Sequence, residues 1–219
     1  IYDHVGGGFH RYTTEPTWTV PHFEKMLYDN ALLVPAYLDA FQLTGDKKYA
    51  AVTRDVLEYV ARERTSAAGA FYAATDADRE GEEGVFSVWT PDEIREAVGE
   101  DLAELALLAY GVKAGGNFEK GSSVLRRDLS NEELAENLKR APEVIEEELR
   151  QVRQILRDVR SRRIPPLCDD KEIVAWNALM ISAFAQGGLI LREKAFVQQA
   201  SAAADALLAL AHSPAGLAR

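Results

Sequence analysis

The sequence predicts an all-α fold of consecutive helix pairs with one small β-hairpin between them. Three observations carry this expectation. Apolar residues recur at helical spacing through most of the chain. Helix-start signatures stand at Thr90-Pro91-Asp92-Glu93 and at Ser130–Glu133. A weak repeat places Gly7-Gly8-Phe9 and Gly69-Ala70-Phe71 at similar points before helices, and Pro214-Ala215-Gly216-Leu217 resembles the start of another unit. Helix pairs repeated at this size bury their apolar stripes against neighbours, as in a toroid or solenoid.

The first helix is expected from about Phe23 to Leu43, with Met26, Leu27, Ala31, Leu33 and Tyr37 among its apolar positions and a kink before Pro35. Gly45-Asp46 ends it and caps a second helix that runs to about Arg64. Gly69–Thr75 and Val85–Trp89 alternate as two short strands around the acidic turn Asp76–Gly84. A capped helix follows from Thr90, and Gly111–Leu125 forms a glycine-containing loop. A long amphipathic helix spans Pro142–Arg163, with Ile145, Leu149, Val152, Leu156 and Val159 on one stripe. Pro165-Pro166 breaks the pattern, Asp169-Asp170-Lys171 leads into an apolar helix ending near Gly187-Gly188, and an Ala-rich helix covers about Lys194–His212.

Composition bounds the function. With 219 residues, 47% of them hydrophobic and 27% charged, the chain has the make-up of a globular domain. A net charge of −10 argues against nucleic acid, because no basic stripe stands ready to neutralise phosphates. The arginines between Arg150 and Arg163 share a helical pattern with glutamates and are expected on a solvated face. The single Cys168 excludes an internal disulfide, and its aspartate neighbours disfavour a nucleophilic thiolate. No apolar run is expected to span a membrane, and the cytoplasm is the default compartment. The chain opens on Ile1, inside its densest motif, and is expected to be a piece of something longer.

That motif, Asp3–Asn30, holds His4, His10 and His22 together with Arg11, Trp18, Glu24, Lys25 and Asp29. Such density points to a site. On a helix starting near His22, the spacings His22/Lys25/Asp29 and Lys25/Tyr28/Asp29 place these side chains on neighbouring surface. The alternative is that His10 and His22 cap loops or satisfy buried backbone groups. Gly6-Gly7-Gly8 lacks the context and spacing of a phosphate loop. Asp76, Asp78 and Glu80 project carboxylates from a turn; with Gly81 they half-match a calcium loop, but Ser87 stands where a bidentate Glu belongs. A turn whose aspartates bond backbone amides accounts for them as well. No metal or cofactor is expected.

Four segments carry a family resemblance: GGGFHRYTTEPTWTVPHFEKMLYDNALL, DADREGEEGVFSVWT, GNFEKGSSVL and PPLCDDKEIVAWNALMISA. In order and spacing they resemble thioredoxin-like, six-hairpin-glycosidase-like proteins, the group that includes the spermatogenesis-associated thioredoxin-like proteins. The resemblance implies that residues 1–219 are part of one (α/α)6 toroid, similar to N-acylglucosamine 2-epimerases, with a thioredoxin-like domain upstream in the full-length chain. It is interrupted at Pro35, at Ser122-Ser123 and at Ala178.

The resemblance implies a carbohydrate-active domain, a sugar epimerase or isomerase or else a glycoside hydrolase. In that reading His10 or His22 is the acid/base, titrating near neutrality, with Arg11 and Lys25 as electrostatic partners. Asp76 and Asp78 supply carboxylates, whose separation sets a hydrolase's stereochemistry. Trp18 and Trp89 offer stacking surfaces for a sugar ring, and Tyr28, Asp29, Asp169, Asp170, Lys171 and Asn177 offer polar contacts. One of the aspartates before the apolar helix is equally suited to capping it. The rival reading is a non-catalytic module that works with the thioredoxin-like domain. A third is a fragment that dimerises through uncovered helix faces.

Overall fold

The computed structural model describes residues 1–79, 81–213 and 216–217. Glu80, one of the half-matched calcium positions, and Pro214-Ala215 of the third repeat lie outside the described residues.

The described chain is mostly helical, with small antiparallel sheets. Its helices are α1 (Leu27–Thr44), α2 (Lys47–Glu63), α3 (Pro91–Val98), α4 (Glu100–Ala109), α5 (Asn131–Leu138), α6 (Pro142–Arg160), α7 (Val174–Ile190) and α8 (Lys194–Ala211). They pack in consecutive pairs, α1 on α2, α3 on α4, α5 on α6 and α7 on α8, and α1 also packs on α7. Both expected capping boxes form: Thr90 accepts from the Glu93 amide and Ser130 from the Glu133 amide, with each glutamate answering the cap's own N–H. Glycine in the left-handed region splits the helix expected from Thr90 into two, at Gly99 with φ 74°. Helix α1 runs through Pro35 without a break.

Short strands replace the expected single hairpin. These are β1 (Tyr12–Thr13), β2 (Pro21–His22), β3 (Lys25–Met26), β4 (Ala74–Thr75), β5 (Asp78–Arg79), β6 (Glu82–Glu83), β7 (Cys168–Asp169), β8 (His212–Ser213) and β9 (Gly216–Leu217). β1 pairs with β2, β5 with β6 and β8 with β9, while β4 lies between β3 and β7. The hairpin β5–β6 thus occupies the acidic segment itself. Val85–Trp89 is not a strand: the Ser87 and Val88 amides turn back onto the Gly84 carbonyl, and only Trp89 makes a bridge, to Ser123.

The weak sequence repeat has a structural counterpart. In the first unit, Asn30 in the opening turn of α1 accepts from the Phe9 amide at 2.8 Å and donates to the Phe9 and Met26 carbonyls. In the second, Asn177 in the opening turn of α7 accepts from the Phe71 amide at 2.7 Å and donates to the Phe71 and Ile173 carbonyls. Each asparagine therefore clamps the backbone of the repeat's phenylalanine and also ties down the residue preceding its own helix. Both are buried, and the bonds that clamp Phe9 and Phe71 are made out of water.

Two large apolar clusters result. One gathers Leu38, Leu57, Phe71, Met180 and Phe184 among α1, α2, α7 and α8. The other gathers Trp89, Ile94, Val152 and Leu156 among α3, α4 and α6. The N-terminal loop joins them, with Val5 in the second cluster and Phe9 in the first. Val174–Leu191 is long and apolar enough to cross a membrane by length and composition, which corrects the expectation that no run reaches that length. Here that segment packs on α1, α2 and α8, burying Met180, Ala183 and Phe184.

Asn177→Leu removes both partners of the Phe71 backbone without shrinking the side chain. It is expected to cost about 2–4 kcal/mol in urea denaturation; a loss below about 1 kcal/mol contradicts the clamp.

Candidate functional site

The dense N-terminal motif does not form one site. From Pro21 to Met26 the chain is extended, so side chains alternate between two faces. Phe23 and Lys25 point inward and are buried, whereas His22 and Glu24 stay partly exposed. The expected helical neighbourhood of His22 and Lys25 is corrected by this alternation, since three residues apart on a strand means opposite sides.

On the outer face, His22 Nδ1 lies 2.7 Å from Glu83 on β6 and its Nε2 3.8 Å from Glu24. Arg11 pairs with Glu24 at 3.0 Å, and the Tyr12 ring stacks on His22 with centroids 5.0 Å apart. Tyr28 meets Trp176 edge to face, and burial raises the Asp29 carboxyl above its ordinary value. Asp29 Oδ2 has no hydrogen-bond partner among the described residues.

The inner face is built on Asp3. Its carboxylate accepts from the Val5 and Gly6 amides, from Lys25 Nζ at 2.7 Å and, through both oxygens, from Arg160 Nη1 at 2.9 Å. Burial alone would raise this carboxyl. Arg160, then Lys25 and His10, outweigh it and hold Asp3 well below the ordinary carboxylate range. Lys25 also donates to the Gly7 carbonyl at 2.7 Å and stands 4.4 Å over the Tyr59 ring.

The three glycines belong to this cluster. A Cβ at Gly6 would overlap the Arg160 guanidinium. Gly7 and Gly8 both adopt left-handed backbone, and Gly8 lies flat against Tyr59.

His10 is buried beside them. Its Nδ1 donates to the Phe23 carbonyl at 2.8 Å, which leaves Nε2 as an acceptor. Burial, and then the charge of Lys25, push its pKa down to about 3, and burial with Arg127 pushes His4 down to about 4. The expectation that His10 titrates near neutrality is corrected: it is a neutral hydrogen-bond acceptor throughout the physiological range.

Above this floor opens a cavity of about 650 Å³. The end of α2 supplies Tyr59 and Arg64, α6 supplies Arg157 and Asp158, β4 and the next residue supply Thr75 and Asp76, and Phe86 closes one wall. Of the residues singled out from sequence, the structure brings His10, Lys25 and Asp76 to this cavity. Arg11, His22, Tyr28 and Asp29 gather outside it, and Asp78 is exposed on β5. Trp18, 64% exposed with φ 59°, lies on a smaller cavity of about 280 Å³ beside His4 and Arg127.

Two expected contacts are corrected by burial. Trp89 is wholly inside the second cluster, beneath the Arg163 guanidinium at 3.9 Å, and offers no stacking surface. Asn177 spends its amide on the Phe71 clamp. Asp169 and Lys171 pair with each other at 2.8 Å near the surface, Asp170 is exposed, and α7 is capped by none of these side chains.

Sequence reasoning missed Asp3, Arg64, Arg157 and Arg160. A signal existed in α6: Arg153, Arg157 and Arg160 are spaced four and three apart, a stripe beside the apolar one. The solvated face expected of these arginines is therefore corrected: Arg160 is 3% exposed, and Arg153 pairs with Asp55 at 2.6 Å.

No family model matches the chain. It is homologous to a segment of human spermatogenesis-associated protein 20, with 37% identity over 225 residues, 92% of this chain. The mouse protein of that name is 36% identical over 94% of the chain, and an uncharacterised protein of Caenorhabditis elegans is 30% identical over 94%. The chain spans 29% of the length of the human and mouse proteins and 31% of the nematode one, less than a third of each.

Stability is expected to fall as pH drops below 6.5. Unfolded His4 and His10 take up protons near 6.5, while the folded chain excludes them until about 4 and about 3. Their contribution is therefore complete above 6.5 and is lost as pH falls through that window, at about 1.4 kcal/mol per pH unit for each excluded proton. His10→Gln should remove one proton's share of the slope in urea denaturation between pH 4.5 and 6; a profile parallel to wild type contradicts this.

Proposed function

We propose that this chain is part of a carbohydrate-active domain, of the (α/α)6 toroid class that its motifs resemble, and that the Asp3–His10–Lys25 cavity is where it binds a sugar. One observation carries the reading: a cavity of about 650 Å³ joins aromatic wall to a polar floor and rim. That volume is typical of small-molecule sites. Phe86, partly exposed, suits the C–H face of a sugar ring. Thr75, Asp76, Asp158 and the neutral His10 suit its hydroxyls, the carboxylates and imidazole accepting and the threonine exchanging both ways.

Epimerisation or isomerisation is the leading reaction of this reading and glycoside hydrolysis the second. A two-carboxylate hydrolase needs both acids at the scissile bond; of the expected pair Asp76 and Asp78 the cavity is lined by Asp76, with Asp158 from α6 as a second carboxylate on its lining. A depressed His10 is a weak base, so the reading rests on binding first. The rival, a module serving a thioredoxin-like domain, draws support from the apolar residues left exposed on α1, α7 and α8, including Leu32, Leu189 and Val197.

Isothermal titration against a panel of mono- and disaccharides tests this. Wild type is expected to bind a member of the panel. Asp76→Ala should weaken that binding by about tenfold or more through loss of a charged acceptor, and His22→Ala, outside the cavity, should leave it intact. Silence across the panel from a folded sample, or loss in His22→Ala alone, defeats the cavity reading and favours the module.

A further inference from the structure

The cavity has an excess of positive charge in a chain whose net charge is −10. Six cations line it, Lys25, Arg62, Arg64, Arg157, Arg160 and Arg163, against the four carboxylates of Asp3, Glu63, Asp76 and Asp158. Four of the cations are fully engaged. Lys25 and Arg160 share Asp3. Arg62 donates to the Gly6 carbonyl and to Glu63. Arg163 donates to the Val85, Phe86 and Val88 carbonyls and to Glu93.

Arg64 and Arg157 are different. Arg64 is 4% exposed, donates from Nη1 to Thr75 Oγ1 at 2.5 Å, and its Nη2 is buried with no hydrogen-bond partner among the described residues. Arg157 donates through Nε to the Val5 carbonyl at 3.1 Å, and no carboxylate pairs with it among the described residues. Burial, then the like charges of Arg153 and Arg62, push the Arg157 guanidinium below its ordinary value. Arg157 is only partly buried, with Asp55 and Glu58 opposing that shift from a distance. Arg64, by contrast, is a buried cation in no ion pair among the described residues, which costs roughly several kcal/mol and marks it as a group that function uses.

We infer that the ligand of this cavity carries an oxyanion, a carboxylate or a phosphate, and that Arg64 and Arg157 receive it. Guanidinium groups present paired N–H donors that match the oxygens of either group, and in a site shielded from water such bonds are about twice as strong as neutral ones. The inference rests on the reading above for the rest of the ligand: with a sugar body, the class is a sugar acid or a sugar phosphate. Thr75, held by Arg64, and the Tyr59 hydroxyl 3.2 Å from Thr75 extend the polar wall beside the anion.

The test pairs each neutral sugar of the panel with its uronic acid and its phosphate ester, with inorganic phosphate as the sugar-free probe, in titrations at low ionic strength. The uronic acid or the ester is expected to bind at least about tenfold more tightly than its neutral parent, and which of the two does so identifies the anion. Arg64→Gln should bring the anion's affinity down to that of its neutral parent, measured as the ratio of the two in the same variant. Without ligand, Arg64→Gln should melt at or above the wild-type temperature, because it removes an uncompensated buried charge; a structural arginine would instead lower it. Should Arg64→Gln fail to fold, Arg157→Gln decides by the same loss of advantage.

Neutral sugars binding as tightly as their anions, or an advantage that survives both substitutions, overturns the inference and leaves the carbohydrate reading standing. Inorganic phosphate binding as tightly as any ester, with Arg64→Gln abolishing it, upholds the oxyanion site and overturns the sugar. Silence from every probe in a folded sample overturns both.

Discussion

The structure depends on one buried carboxylate. Asp3 is 8% exposed and carries the opposing demands of a lysine on β3 and an arginine at the end of α6. Removing Asp3 leaves both cations without their partner in the interior, a loss of about 3–5 kcal/mol in typical proteins. Because the same loop delivers Val5 to one apolar cluster and Phe9 to the other, this ionic knot also sets how the two clusters meet. The glycines follow from it. Side chains at positions 6 and 8 would fall on Arg160 and Tyr59, so the loop passes between the clusters as bare backbone.

The cavity is a product of this arrangement. Helices α2 and α6 end beside each other above the knot, and both deliver basic residues there, Arg62 and Arg64 from one and Arg157, Arg160 and Arg163 from the other. Two of these arginines neutralise or cover the knot and its glycine loop, one braces the turn before α3, and two form no ion pair among the described residues. What resembles a charged surface in the sequence is thus an interior lining. The outer cluster of Arg11, His22, Glu24 and Glu83 is internally paired and belongs to the surface sheet instead.

Local physics was legible in the sequence, and long-range pairing was not. The capping boxes at Thr90 and Ser130 need four residues each, and both stand where their residues predict. The Gly-x-Phe repeat was visible at Phe9 and Phe71, yet the asparagines that give it meaning lie 21 and 106 residues further on. The site suffered most. A helical spacing was read across His22 and Lys25 because Pro21 and the apolar positions after it suit a helix start, but pairing of β3 with β4 holds the segment extended as far as Met26. One wrong periodicity moved His22 to the same side as Lys25. Arg160 is recognisable as a site residue only once Asp3 is known to lie against it.

That contact has a temporal side. Asp3 and Arg160 are separated by 157 residues, so the bond closes only once all of the intervening chain is available. Until then the glycine loop has no fixed path, and the helices that flank the cavity have no common anchor. Loop closure over such a span is entropically costly before its contacts reward it. The helix pairs α1–α2 and α3–α4 pack locally, whereas each apolar cluster is completed by later helices, α7 and α8 in one and α6 in the other. The loop around Asp3 is therefore satisfied only once the far end of α6 is in place, and that contact joins the helix pairs on either side of the cavity.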